Sequence, residues 1–158
     1  MDKKIMGAAV VAVAMALAPA VASADAAVKA RLDARGIKYT IDGDGDYKVT
    51  YNYSKEGRTQ LVFVSGGTQS VAGFEVREIY APAARLGSDG VDAERLAELM
   101  ATNRQMKLGA WEVAGDILYF VIKLPEPINA QALESAMDIA AESADDMEIQ
   151  ISGDADRL

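Results

Sequence analysis

The sequence contains no cysteine and no histidine. Without cysteine there is no disulfide, thiolate metal site, iron–sulfur cluster or thiol nucleophile. Without histidine there is no imidazole base, no Ser–His pair, no axial haem histidine and no ordinary catalytic zinc site. Carboxylates or lysine can still catalyse, but the commonest catalytic constellations are closed. Positive charge is in the minority, with 16 Lys and Arg against 24 Asp and Glu for a net −8. A surface of that sign repels phosphate backbones and anionic headgroups, so nucleic acid is not an expected partner. No internal repeat, linker or stretch of about 20 apolar residues long enough to span a bilayer is found.

What is present begins with a leader-like segment. Asp2-Lys-Lys4 precedes an apolar and small-residue run over 5–18, ended by Pro19 and followed by Ala22-Ser-Ala24. That small-x-small triplet is the pattern read by signal peptidase. Residues 1–24 are therefore expected to be a signal peptide cleaved after Ala24, giving a periplasmic or secreted protein with no stable membrane anchor. Removing 24 of 158 residues leaves 134, which suits one domain able to bury about two-thirds of its unfolded surface. Lys3 and Lys4 outweigh Asp2 by one, so the remainder carries −9.

The passage 92–124 organises the rest. Asp92 is placed to cap a helix carrying Leu96, Leu99, Met100 and Asn103 on one face. A hairpin follows over 109–124. Gly115-Asp116 suits a two-residue primed turn, which pairs Val113 with Leu118 and Trp111 with Phe120. Trp111, Val113, Leu118, Phe120 and Ile122 then share one face, and Glu112, Ile117, Tyr119, Val121 and Lys123 the other.

Ahead of this passage, residues 25–35 read as a short helix with Val28 and Leu32 four apart, ended by Gly36. Strands are expected at 37–41, 47–53, 61–64 and 74–80, the first two alternating and the third apolar throughout. Beyond Pro125-Glu-Pro127, Asn129 caps a helix bearing Leu133, Ala136, Met137 and Ala140. Met147, Ile149 and Ile151 alternate as a short edge strand would, and residues 153–158 are expected to fray. The expected fold is α+β: a two-layer α-β4-α-β2-α arrangement over residues 25–152, with an antiparallel sheet and helices mainly on one face.

Several stretches imitate chemistry. Asp42-Gly-Asp-Gly-Asp46 resembles the start of a calcium loop, but the sixth and twelfth positions hold Tyr47 and Tyr53 instead of Gly and Glu. The stretch reads as a strand turn. Tyr47, Tyr51 and Tyr53 line one strand face as a stacking platform would, yet half-buried strands use tyrosine for packing alone. Glu75, Arg77, Glu78 and Glu112 read as cross-strand ion pairs. Ser65-Gly-Gly67 and the loop over 87–90 lack phosphate-cradle spacing. No catalytic, cofactor-binding or metal-binding residue is therefore assigned.

The outward set of the sheet is more informative. If all the helices cover one face, Tyr119 and Val121 form an apolar patch on the other, joined by one of the pairs Leu61/Phe63 or Val62/Val64. Tyr119, Val121, Val62 and Val64 are taken as the partner-binding set. A helix crossing over to cover them would remove the patch.

Gly73-Phe-Glu-Val-Arg-Glu-Ile79, Asn103, Leu108-Gly-Ala-Trp-Glu112 and Ala144-Asp-Asp-Met147 resemble the YbjN domain family, over roughly residues 28–151. Its members are described as bacterial sensory transduction regulators, with a fold similar to type III secretion chaperones. That fold is an α+β sandwich that often dimerises and holds other polypeptides on its surface. The resemblance implies a non-enzymatic protein-binding or chaperone-like module with another protein or itself as partner. Secretion chaperones act in the cytoplasm, so the leader here is a departure. The alternative is a small-ligand sensor with a pocket between Trp111 and the 92–105 helix.

Overall fold

The computed structural model describes residues 25–153 and 155–158. The expected leader lies outside them. In chain order the elements are α1 (Ala26–Ala34), β1 (Thr40–Ile41), β2 (Tyr47–Tyr53), β3 (Arg58–Val64), β4 (Gln69–Val71), β5 (Phe74–Arg85), α2 (Ala93–Asn103), β6 (Ala110–Ala114), β7 (Ile117–Pro125) and α3 (Ala130–Ser152). The strands form one antiparallel open sheet in the order β1-β2-β3-β5-β7-β6, with β4 paired to the start of β5.

The class is α+β, as expected, but the sheet has seven strands where six were anticipated. The extra one is β4, exposed at every position and so without apolar alternation to betray it. It exists because β3 pairs with β5 only at Phe63↔Tyr80 and Val64↔Ile79, leaving the first residues of β5 open. Toward the other end the strands splay, and the buried Gln60 amide donates to the Pro82 carbonyl at 2.8 Å across the gap. The first expected strand shortens to Thr40–Ile41.

A larger correction concerns 147–151, which is no edge strand. Helix α3 continues to Ser152, burying Leu133, Ala136, Met137, Ala140, Ala141, Ala144 and Met147 at helical spacing. The misleading alternation arises because Glu148 faces inward while Ile149 is partly exposed. The last residues, expected to fray, touch the body at several points, including an Arg157–Asp89 ion pair at 3.0 Å. The Arg157 N–H donates to Glu148 at 2.6 Å, and Asp156 accepts the Thr59 hydroxyl at 3.0 Å.

Small residues set the distance between layers. Helix α3 crosses β3, β5 and β7, and it presents Ala136, Ala140 and Ala144 where β5 presents Ala81, Ala83 and Ala84. With little bulk between them, backbone layers approach closely and pack densely. Leu99 of α2 joins the same core beside Trp111. The Gly109 φ is 82°, and a Cβ there would lie 2.5 Å from the Phe120 ring, so only glycine lets β6 enter the sheet beneath that side chain.

Two buried arginines fasten the layers at opposite ends. Arg58 reaches Asp145 and Glu148 of α3, each at 2.9 Å. Burial pushes the Glu148 carboxyl above its usual range, against the Arg157 N–H and Arg58, which favour its charge. Arg77 contacts Asp25 and the Ser65 carbonyl and lies 2.6 Å from Glu126, which Arg31 also grips at 2.7 Å. Burial opposes the Glu126 charge too, but Arg31, Arg77 and the Ile128 N–H outweigh it and hold the carboxyl at about 2.

Candidate functional site

Alternation along each strand sends every second residue away from the helices. All three helices pack on the side of Val62, Ile79, Phe120 and Trp111, and none of the described residues forms a helix over the other side. The pairing register places the outer-face residues in rows. Lys48, Phe63, Tyr80, Val121 and Ala110 lie across one row, and Pro82, Tyr119 and Glu112 across the next. Phe63 and Tyr80 stack with ring centroids 5.1 Å apart, and Tyr119 meets Tyr80 edge-on at 5.7 Å. The result is an aromatic shelf of half-buried rings on the face away from the helices.

The expected set divides here. Tyr119 and Val121 both lie on the outer face, but only Tyr119 is half-buried; Val121 is 8% exposed, and Val62 and Val64 are fully buried on the helix side and cannot meet a partner. The outward pair is Leu61 and Phe63, both half-buried. Every residue of the 61–64 run is apolar, so composition does not orient it. The Phe63↔Tyr80 pairing does. Tyr80, on the expected 74–80 strand, joins this face through its contacts with Phe63 and Tyr119. Its alternation with Ile79 is the signal that was available.

Charged groups ring one end of the shelf. The Tyr80 phenol donates to Asp46, whose other oxygen accepts the Gly66 N–H at 2.7 Å. Burial and then this hydrogen bond push the phenol well up, so it stays a neutral donor. Lys123 holds both oxygens of Glu112 at 2.7 and 2.9 Å and lies 3.8 Å from Glu78. The hydrogen bond to Glu112 raises the Lys123 ammonium pKa, with burial pulling the other way. Between these groups lies a depression of about 320 Å³ bounded by Asp46, Glu78, Tyr80, Glu112, Tyr119 and Val121.

The remaining candidates resolve as packing or pairing. Tyr47 and Tyr51 face the helices, the first donating to the Asp25 carbonyl and the second to Asp138, each at 2.8 Å. Arg77 points inward to Asp25 and Glu126, so the cation that pairs with Glu78 and Glu112 is Lys123. Asp42 accepts the Asp44 and Asp46 N–H groups of its own turn at 3.0 and 2.9 Å.

A second concavity, about 520 Å³, lies between α2 and α3 over Leu99, Met106 and Trp111. The expected pocket lay between Trp111 and the 92–105 helix; this concavity touches both, but Ser143, Asp146, Met147 and Gln150 of α3 form its other wall. Its polar rim is internally paired, with Arg95 3.0 Å from Glu98 and 2.9 Å from Gln150. Nearby, Asn103 closes the outer edge of the sheet. Its side chain accepts the Trp111 N–H at 2.7 Å and donates to the Trp111 carbonyl at 3.0 Å, imitating a neighbouring strand. Neither a protein-family model nor a curated protein sequence matches the chain.

Proposed function

We propose that this chain is a non-enzymatic, exported binding module that holds another polypeptide, or a second copy of itself, on its outer sheet face. The observation that carries the reading is the shelf of the half-buried rings Phe63, Tyr80 and Tyr119, with Val121 buried among them, on a face that none of the described helices covers. Contiguous apolar surface of this kind marks association sites. The YbjN-like motifs and the secretion-chaperone-like fold they imply support the same kind of partner, and the leader-like segment supports a periplasmic setting. The absence of cysteine and histidine fits a role in holding other molecules.

The test is a holding assay with the full chain. An unfolded polypeptide should aggregate more slowly in its presence, and Phe63→Ser with Tyr119→Ser should abolish the protection while circular dichroism stays unchanged. Protection by the doubly substituted chain equal to that of the wild type would remove this face from the function.

The groove over Trp111 supports a second reading, a small-ligand sensor. Trp111 is the only tryptophan, so its fluorescence reports the groove directly. A metabolite that shifts Trp111 emission and raises Tm, with both effects lost in Thr102→Phe, would favour this reading over the first.

A further inference from the structure

We infer that the outer face takes a polypeptide segment that sets an arginine or lysine side chain beside apolar ones, the cation entering the depression between Glu78, Glu112 and Tyr119. The inference rests on the proposed binding role of that face and names the chemistry of its partner.

Charge complementarity carries it. Three carboxylates bound the depression, those of Asp46, Glu78 and Glu112, and Lys123 is the cation paired with the last two. Lys48 lies at the far side of Phe63, at the end of the row that runs through Tyr80 to Val121. Lys123 pairs with two of these carboxylates without itself lining the depression, which keeps an excess of negative charge. Lys123 shows that a cation is accommodated between Glu112 at 2.7 Å and Glu78 at 3.8 Å. The looser of these two contacts leaves the Glu78 carboxylate available to a second cation.

The walls also suit a cation joined to apolar groups. Tyr119 and Val121 are among the lining residues, and Tyr80 meets Tyr119 edge-on at 5.7 Å. Aromatic faces attract a guanidinium or ammonium, and a planar guanidinium can stack on a ring while hydrogen bonding to a carboxylate. Asp46 is held in place by the Gly66 N–H and the Tyr80 phenol, so it need not reorganise to receive charge. The shelf then continues through Tyr80 to Phe63. A lone small cation would leave that extension uncovered. A segment alternating cationic and apolar side chains fills both parts.

The experiment titrates the full chain into labelled short peptides of equal length that alternate leucine with arginine, serine or glutamate. The arginine peptide should bind at least about tenfold more tightly than the serine peptide, with the glutamate peptide weakest. Added salt should weaken the arginine peptide and spare the serine peptide. Glu78→Gln with Glu112→Gln should erase most of the arginine preference. Lys123→Met, which removes the cation paired with those two carboxylates, should tighten the arginine peptide, and this opposite response guards against simple misfolding. Equal affinity for the arginine and serine peptides, both weakened by Phe63→Ser, would overturn the cation requirement and leave the apolar face in place. Binding that ignores both Phe63→Ser and Tyr119→Ser would overturn the inference and the proposed function together.

Discussion

Val62 and Phe63 are adjacent on β3, both apolar, and live in different surroundings. Val62 is fully buried beneath α3, whereas Phe63 is half-buried on the outer face and stacks on Tyr80. The covered side uses small residues, with Ala81, Ala83 and Ala84 opposite the alanines of α3, because a helix must come close to exclude water and extra bulk would hold it off. The outer side uses large rings that shield one another in place of a covering layer. Charge follows the same division. Arg58 and Arg77 are enclosed by carboxylates and carbonyls, while Lys123 keeps nearly half its side chain in water. Residues that hold the fold together thus lie on one side, and on the other lie residues whose arrangement the fold does not require.

The largest test of that division removes a buried cation. Arg58→Met strands Asp145 and Glu148, whose side chains are 8% and 2% exposed, with no guanidinium between them. It should cost about 3–5 kcal/mol in urea unfolding at neutral pH. Burial already raises the Glu148 carboxyl and Arg58 opposes that rise, so without Arg58 the deficit should shrink as pH falls toward the ordinary carboxylate range. Lys123→Met on the outer side should change stability by no more than about 1 kcal/mol. Equal losses would break the comparison. Val62→Ser is the next step down, combining lost burial with a hydroxyl that has no partner, and should cost roughly 2–4 kcal/mol.

Acid provides a third test within the covered side. Glu126 ionises at about 2 in the folded protein against an ordinary value of 4.5. The unfolded chain therefore takes up that proton first, and the stabilisation from Glu126 is complete above 4.5 and lost as pH falls toward 2. Glu148 runs the other way. Its folded carboxyl titrates above the unfolded one, so ionising it costs stability as pH rises through the folded value. Glu126→Gln should remove about 1–3 kcal/mol at neutral pH and flatten the acid limb of the unfolding curve. An acid limb as steep as that of the wild type would mean that the Arg31–Glu126–Arg77 contacts contribute little.

Local chemistry made much of this architecture legible. Asp92 and Asn129 cap their helices through N–H groups at 2.9 and 2.8 Å, as their side chains and the apolar spacing beyond them imply. Gly115-Asp116 set the hairpin register, and Trp111 does face Phe120 as Val113 faces Leu118. What escaped depends on contacts distant in sequence. The orientation of 61–64 follows from Phe63 meeting Tyr80, and the inward turn of Glu148 from an arginine 90 residues away. β4 owes its pairing to a gap left by β3, which no property of Gln69–Val71 announces. The site was half legible for the same reason: Tyr119 and Val121 were oriented by a tight turn, Leu61 and Phe63 by a long-range pairing.

A small change in stability is expected at the residue proposed to matter most for binding. Phe63→Ser leaves β3 paired to β2 and β5 and uncovers nothing beneath α3, so the cost is the loss of one ring stack and some apolar contact, about 1 kcal/mol or less. Its neighbour Val62→Ser should cost several times as much. If the outer face is a docking surface, the ranking inverts in a binding assay, with Phe63→Ser losing the polypeptide while Val62→Ser retains it under conditions where it is still folded. A surface that merely tolerates its aromatics would show no inversion, with both variants binding in proportion to the folded fraction. The two substitutions sit side by side on one strand, and comparing them separates stability from recognition.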